Sequence, residues 1–172
     1  MQTLIPFKPI ESKIVVRAEV QRTDSRLTLC YEVVDQNSAL ELPLAFRALG
    51  SAIERADGLW NDTCFEMFIR PEGADAYYEL NFSLRPAWNV YHFEAYRHPQ
   101  PPKITQDFTM KSMQWNGQQL KIELDNLLTA KSMTISLTAV IKEKSGMKHY
   151  LALSHQAAQP DFHLNNSFIL KK

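Results

Sequence analysis

The sequence is poor in several features by which enzymes and nucleic-acid-binding proteins are often recognised. It has only 5 glycines among 172 residues, which leaves few residues from which a glycine-rich phosphate-binding loop could form. Lys plus Arg and Asp plus Glu both number 19, so no basic surplus is available to neutralise a nucleic-acid backbone. A phosphate-binding enzyme and a nucleic-acid-binding protein are therefore poor first interpretations.

Long apolar runs and paired cysteines are also missing. No segment approaches the ~18 apolar residues that span a bilayer, and the start, MQTLIPFKPIESK, lacks the pattern of a secretory signal. Cys30 and Cys64 fall in strand-like runs without CxxC spacing, which favours reduced structural thiols over a disulfide or a metal site. We therefore expect a single cytoplasmic domain over residues 1–172, with no membrane partner and no metal.

Alternation of period two, which is typical of half-buried strands, is abundant. RLTLCYEVV, residues 26–34, places its apolar side chains on one side. MQWNGQQLKIEL predicts a hairpin in which Asn116 and Gly117 suit the positive backbone angles of a type I′ turn. Helical spacing occurs in residues 42–58, where we expect a long loop with one helical turn. The pattern predicts an all-β fold with little helix, an antiparallel two-sheet β-sandwich.

The stretch TCFEMFIRPEGADAYYELNFS, residues 63–83, puts carboxylates into strands whose buried positions are usually apolar. Successive side chains point to opposite faces of a sheet. The apolar faces of its two strands consist of Phe65, Met67, Ile69, Tyr78, Leu80 and Phe82. Glu66, Glu79 and Asn81 are therefore expected on the opposite face.

The next strand, WNVYHFEAY, adds aromatic residues to the same sheet. We expect Tyr91 and Phe93 to face the core, and Trp88 and His92 to share the face of the carboxylates. Carboxylates and amides form paired hydrogen bonds with vicinal hydroxyls, and aromatic rings pack against the C–H side of a pyranose. This second face is therefore rich in groups that bind sugars.

The segments LWNDTCFEMFIRP, YYELNFS, WNVYHFEAY and PDFHLNNSFIL together resemble the DOMON-like domains related to family-nine carbohydrate-binding modules. The resemblance implies a jelly-roll-like sandwich, and known relatives bind either carbohydrate or haem. It also implies a ligand-binding tryptophan six residues before a glutamate, the spacing of Trp60 and Glu66, with Arg85 as a further contact. The second tryptophan of the sugar-binding relatives has no counterpart in LSHQAAQPDFH.

The predicted function is a non-catalytic binding module for a sugar or related polyol, without a cofactor. The predicted ligand-binding residues are Trp60, Glu66, Glu79, Asn81, Arg85, Trp88 and His92. A second copy of the chain, paired along an exposed strand edge, is the expected protein partner.

Two other functions stay open. The first is non-covalent haem binding, because haem relatives are part of the resemblance. Its candidate axial donors are His92, His155, His163, Met67, Met110, Met113, Met133 and Met147. The second is a glycosidase in which Glu66 and Glu79 act as paired carboxylates. No nucleophile elbow or metal motif accompanies that pair, so we expect the chain not to be an enzyme.

The same residues also have purely structural interpretations. Trp60 could plug the end of the sandwich as a buried side chain. Glu66 and Glu79 could be exposed on a solvated sheet face and pair with nearby arginines. Asp161 and His163, in the closing PDFH, could form a hydrogen bond that closes a turn.

Overall fold

The computed structural model describes residues 1–23, 25–42 and 52–172. Within them the chain forms fourteen strands, which follow one another in this order: β1 (Gln2–Thr3), β2 (Ile5–Pro6), β3 (Ile14–Arg22), β4 (Arg26–Asp35), β5 (Glu54–Arg55), β6 (Cys64–Pro71), β7 (Tyr77–Ser83), β8 (Ala87–Phe93), β9 (Lys103–Ile104), β10 (Phe108–Trp115), β11 (Gln119–Asn126), β12 (Met133–Lys142), β13 (Lys148–Ala152) and β14 (Leu170–Lys171). Two short 3₁₀ helices cover Leu59–Asn61 and Asn165–Ser167.

These strands form two sheets. The smaller sheet has the order β1-β3-β4-β11-β10, and the larger has the order β2-β13-β12-β6-β7-β8-β5, with β14 beside β12 and β9 beside β8. The pairings are antiparallel except that of β5 with β8, which is parallel. The predicted fold class, an antiparallel two-sheet β-sandwich with little helix, is confirmed.

The main core lies between the two sheets and follows the predicted alternation in most strands. In β4 the inward side chains are buried and their neighbours are not. Tyr31 of β4 reaches across to β6, where its ring centroid lies 5.0 Å from that of Phe65 and its hydroxyl donates to the carbonyl oxygen of Glu66 at 2.6 Å. This contact fixes β6 against the smaller sheet and leaves the Glu66 side chain on the far face.

The face assignment predicted for β8 is wrong. Phe82 of β7 lies opposite Trp88, and Glu79 lies opposite Tyr91, so the indole is on the core side and the phenol is beside the carboxylate. Trp88 is only 5% exposed and packs beneath the guanidinium of Arg55, 3.7 Å from its ring centroid. Both faces of β8 carry large apolar side chains, so alternation alone could not decide between them.

The hairpin predicted from MQWNGQQLKIEL lies where the sequence places it. It joins β10 and β11 and contains Asn116 and Gly117, but only the glycine has a positive φ, 99°, so the predicted type I′ geometry is wrong. The Asn116 side chain instead accepts hydrogen bonds from the backbone N–H groups of Gln118 and Gln119. The helical turn expected within residues 42–58 falls mostly on residues 43–51, outside the described residues.

The far face of the larger sheet is covered by the end of the chain. Phe162 and Phe168 pack on Phe68 of β6, with ring centroids 6.4 and 5.9 Å from it. Glu66 and Glu79 lie beneath this cover and are only 3% and 7% exposed. The interpretation of these carboxylates as solvated surface residues is therefore wrong. No helix among the described residues is long and apolar enough to cross a membrane.

Candidate functional site

A row of polar side chains crosses four adjacent strands on the covered face of the larger sheet. We call the four residues the polar row: Thr138, Glu66, Asn81 and Asn89 lie opposite one another on β12, β6, β7 and β8. All four are buried. A continuous line of buried polar groups needs partners, because each unpaired group costs free energy of folding.

The β8 end of the polar row is fully engaged. Asn89 Nδ2 donates to Asp57 Oδ1 at 2.7 Å, and Arg55 Nη1 donates to Asn89 Oδ1 at 3.1 Å. The hydroxyl of Tyr91 donates to the same Asp57 oxygen at 2.8 Å. These bonds hold the Tyr91 ring in one orientation beside Glu79, so the wall that it forms is rigid.

Glu66 of the polar row and Glu79, which lies diagonally beside it on β7, are only half engaged. Glu66 Oε2 accepts a hydrogen bond from Thr138 Oγ1 at 3.0 Å, and Glu79 Oε1 accepts one from Asn81 Nδ2 at 2.8 Å. Within the described residues, no N–H or O–H group donates to Glu66 Oε1 or to Glu79 Oε2. The Cys64 thiol, a weak donor, forms a hydrogen bond with Glu66 that lowers the pKa of that group. Asn81 is fully buried, and its Oδ1 likewise has no partner in the described part of the chain.

Both glutamates line a cavity of about 270 Å³. The side chains around it come from β6, β7, β8, β12 and β13 and from three connecting segments, and they are Trp60, Glu66, Phe68, Glu79, Tyr91, Phe93, Arg97, Gln100, Pro102, Val140, Tyr150, Pro160, Phe162 and His163. Aromatic and aliphatic groups make up most of the lining, and the charged or polar side chains are Glu66, Glu79, Arg97, Gln100 and His163. This is the usual composition of a small-molecule site.

His163 borders the cavity next to Glu79. Its Nδ1 shares a hydrogen bond of 2.8 Å with the hydroxyl of Tyr77, which also accepts from the backbone N–H of Arg97 at 3.0 Å. Its Nε2 lies 3.6 Å from Glu79 Oε2, beyond hydrogen-bond distance. Burial lowers the pKa of His163 to about 4, so the imidazole is neutral at pH 7 and does not compensate the glutamate.

Burial also dominates the two carboxyl groups. Removal from water raises the pKa of Glu66 to about 8, and the nearby charge of Glu79 adds to the rise. Burial raises the pKa of Glu79 to about 7, against the hydrogen bond from Asn81, which lowers it. Two acids this close cannot both ionise cheaply. Both groups therefore titrate well above the range of an exposed carboxylate.

Trp60 stands at the rim of the cavity. It lies in the short 3₁₀ helix Leu59–Asn61, is 41% exposed, and meets Tyr91 edge to face with ring centroids 5.8 Å apart. A side chain that plugs the end of a sandwich would be buried, so that interpretation of Trp60 is wrong. An exposed indole beside a cavity offers a flat apolar surface to a ligand.

The structure brings some of the predicted residues together and separates others. Trp60, Glu66 and Glu79 line the cavity, and Asn81 lies directly behind Glu79. Arg85 instead lies in a separate depression and forms an ion pair with Asp62 at 3.1 Å.

Trp88 and His92 are also displaced from the predicted site. They lie on the core side of β8, where the His92 ring is 4.9 Å from that of Tyr78. Their places on the covered face are taken by Tyr91 and Phe93.

Several lining residues have no counterpart in the prediction. Arg97, Phe162 and His163 come from loops, and loops carry no periodicity from which a face can be deduced. The closing PDFH contained a signal, because Asp161 Oδ1 does accept from the backbone N–H of His163 at 3.0 Å. That bond holds the turn, while the imidazole itself borders the cavity, so the segment has both a structural contact and a place in the site.

The candidate haem donors do not converge. His92 lies on the core side of β8, and His155 Nε2 is hydrogen-bonded to the carbonyl oxygen of Ile5 at 2.7 Å. Of the five methionines considered, none lines the cavity within the described residues. In the same part of the chain, no group of three or more His, Cys, Asp or Glu side chains is arranged to hold a metal ion.

No protein-family model and no curated protein matches the sequence. Among solved structures, the fold is similar to that of a candidate carbohydrate-binding protein from Bacteroides uniformis, with a TM-score of 0.68 and 16% identity over 97% of this chain and 83% of that one. Family-nine carbohydrate-binding modules from Caldicellulosiruptor kristjanssonii, in complex with glucose and with cellotriose, superpose with TM-scores of 0.49 and 0.48 and identities of 11% and 10%, over 87% of this chain and 71% and 70% of those chains.

Proposed function

We propose that the cavity beside Glu66 and Glu79 is a non-catalytic binding site for a small polyhydroxylated ligand, most simply a single sugar ring. The observation that carries the proposal is the half-engaged state of the two buried glutamates. Each has one oxygen fixed by a neighbour and the other without an N–H or O–H donor in the described residues. Ligand hydroxyls that donate to these oxygens would remove that deficit.

The shape and lining of the cavity support a ligand of this size. Its volume of about 270 Å³ lies just below the ~300–1,000 Å³ of sites for drug-sized ligands. Tyr91, Phe93 and the exposed Trp60 provide rings on which the C–H groups of a sugar would pack. Apolar rings beside carboxyl acceptors match the two kinds of surface that one sugar ring presents.

The similarity of fold to the Bacteroides uniformis protein also supports this class of function. The proposal nevertheless depends on the cavity, because many folds carry unrelated functions. We expect this site to bind a sugar or related polyol weakly. A monosaccharide has few heavy atoms and its hydroxyls must be desolvated, so we expect a dissociation constant between about 1 μM and 1 mM.

Isothermal titration calorimetry and ligand-observed NMR against a panel of mono- and disaccharides test the proposal. We expect Trp60→Ala and Glu66→Ala each to weaken binding at least about tenfold, the equivalent of one lost aromatic or hydrogen-bonding contact. The controls are Leu127→Ala, an exposed apolar residue that does not line the cavity, and Glu123→Ala on the smaller sheet. Both controls should bind as the parent does.

Two results would refute the proposal. The first is that no sugar in the panel binds at millimolar concentration. The second is that the folded Trp60 and Glu66 variants bind as tightly as their controls. A disaccharide from the panel is also incubated with the protein for a prolonged time and then analysed by chromatography. Recovery of the intact disaccharide supports the binding role over the alternative in which Glu66 and Glu79 hydrolyse a glycoside.

A further inference from the structure

The charge around the cavity narrows the class of sugar, and this step rests on the proposed function. We infer that the site selects a sugar that carries a free amino group, such as a hexosamine, over the matched neutral sugar. Glu66 and Glu79 occupy diagonal positions on neighbouring strands, because Glu66 lies opposite Asn81 and Glu79 is two residues before it. Such positions are ~7–8 Å apart, within reach of one functional group.

The unpartnered oxygens of the two glutamates are acceptors that suit an ammonium group. Glu66 Oε1 and Glu79 Oε2 accept no hydrogen bond from an N–H or O–H group within the described residues, and both side chains are more than nine-tenths buried. A protonated amine has three N–H donors and no acceptor. A hydroxyl has a single donor, so it can serve only one of these oxygens, whereas an ammonium can serve both. Charge-assisted hydrogen bonds are also about twice as strong as neutral ones.

Of the described basic side chains that line the cavity, Arg97 already forms an ion pair and His163 is uncharged. Arg97 borders the cavity, but its Nη2 is paired with Asp161 Oδ1 at 3.0 Å. His163 is neutral because burial lowers its pKa to about 4. Arg97 acts on Glu79 only through its charge, which lowers the pKa of that group. With pKa values of about 8 and about 7, the two glutamates share a proton at pH 7, and an ammonium group bound between them would favour their ionised forms.

The aromatic lining adds to the same preference. Tyr91, Phe93 and Trp60 all line the cavity; Tyr91 lies opposite Glu79 in the strand pairing, and Trp60 contacts Tyr91. The faces of aromatic rings attract cations, Trp most strongly, and the attraction grows when water is excluded. A positively charged substituent on the sugar is thus stabilised by the rings as well as by the carboxylates, while a negatively charged sugar would be repelled by the acids.

Calorimetry with matched pairs of sugars tests the inference. The pairs are glucosamine with glucose, galactosamine with galactose and mannosamine with mannose, and glucuronate and N-acetylglucosamine serve as acidic and neutral probes. For at least one pair we expect the amino form to bind about tenfold or more tightly at pH 7 and low salt, the gain from one charge-assisted contact. Glucuronate should bind more weakly than any neutral sugar.

Neutralising substitutions separate charge from shape. In Glu66→Gln and Glu79→Gln the amide keeps a hydrogen-bond acceptor but cannot ionise when an ammonium group binds. We expect each variant to lose about tenfold in affinity for the amino sugar while affinity for the neutral sugar changes by less than about threefold. The control Glu123→Gln, on an exposed position of the smaller sheet, should change neither.

The possible failures are distinguishable. If amino and neutral sugars bind equally, or if the glutamine variants keep the preference, the inference is wrong while the proposed function stands. If no member of any pair binds at millimolar concentration, the proposed function itself is wrong. Tighter binding of glucuronate than of glucose would also overturn the inference, because it would show that positive charge dominates the cavity.

Discussion

Glu66 is a buried acid whose ionisation opposes folding. Its pKa in the folded chain is raised by burial and by Glu79, from an ordinary value of 4.5 to about 8. In the unfolded chain it releases its proton near the ordinary value. Stability is therefore highest below about pH 4.5 as far as this group is concerned, and it is lost as the pH rises to about 8. The pKa of Glu79 is also raised in the folded chain, so its ionisation likewise destabilises the fold as the pH rises.

We predict that Glu66→Gln makes the protein less sensitive to alkaline pH. The amide does not ionise, so the variant should gain roughly 2–4 kcal/mol relative to the parent between pH 5 and pH 9. Urea unfolding at the two pH values measures this difference. The exposed control Glu123→Gln should show no such gain. An identical stability difference between variant and parent at both pH values would contradict the assignment of a raised pKa.

The Tyr77 hydroxyl is a second residue whose contribution can be measured alone. It hydrogen-bonds His163 Nδ1 at 2.8 Å and accepts from the backbone N–H of Arg97 at 3.0 Å. Tyr77→Phe leaves both groups without this partner, so we expect a loss of about 1–3 kcal/mol in the free energy of unfolding. Tyr150→Phe is the control, since that hydroxyl makes no hydrogen bond within the described residues. Equal urea midpoints for the two variants would argue against the role of Tyr77.

At the scale of the element, the C-terminal segment acts as the cover of the site. Phe168 stacks on Phe68 with centroids 5.9 Å apart and is 5.7 Å from the ring of Tyr77. We predict that Phe168→Ala lowers the free energy of unfolding by about 3–5 kcal/mol, because a buried aromatic ring is replaced by a cavity. Denaturant titration by circular dichroism provides the measurement.

The neighbouring residue is a strict control for that prediction. Ile169 follows Phe168 in the chain and is half exposed, so Ile169→Ala should cost less than about 1 kcal/mol. If the two alanine variants are equally stable, the end of the chain does not pack on the sheet as described.

The strands themselves show how far the sequence could be interpreted. In β4, β6 and β7 one face is continuously apolar, so alternation alone identified the side that faces the core between the two sheets. β8 has large apolar side chains on both faces, and its orientation depends on its pairing with β7. Pairing between strands is a long-range property. For this reason the prediction placed Trp88 and Tyr91 on the opposite faces of β8 from those observed.

At the scale of the whole molecule, the two-sheet fold was predictable and the covered site was not. The turn residues and the period-two pattern are local signals. The placement of Phe162 and His163 over β6 and β7 joins positions about 80 or more residues apart in the chain, and no local pattern encodes such a contact. The sequence therefore identified Glu66 and Glu79 but not the segment that buries them.

The contacts of His163, the one candidate axial donor that lines the cavity within the described residues, argue against haem binding. His163 Nδ1 is engaged by Tyr77, and its Nε2 faces Glu79 at 3.6 Å. We therefore predict that added haem gives no stoichiometric, saturable Soret band in a spectrophotometric titration. A saturable band that disappears in His163→Ala or His155→Ala would contradict this prediction and favour haem binding over sugar binding.

The polar row has a consequence for how the strands find one another. Its four members lie at matching positions on β12, β6, β7 and β8. A slip of any of these strands by one residue would turn its polar member into the apolar interior between the sheets, where a carboxyl or amide group would have no hydrogen-bond partner. The polar row thus favours the observed strand register during folding, because pairings of these strands that are shifted by one residue are less stable.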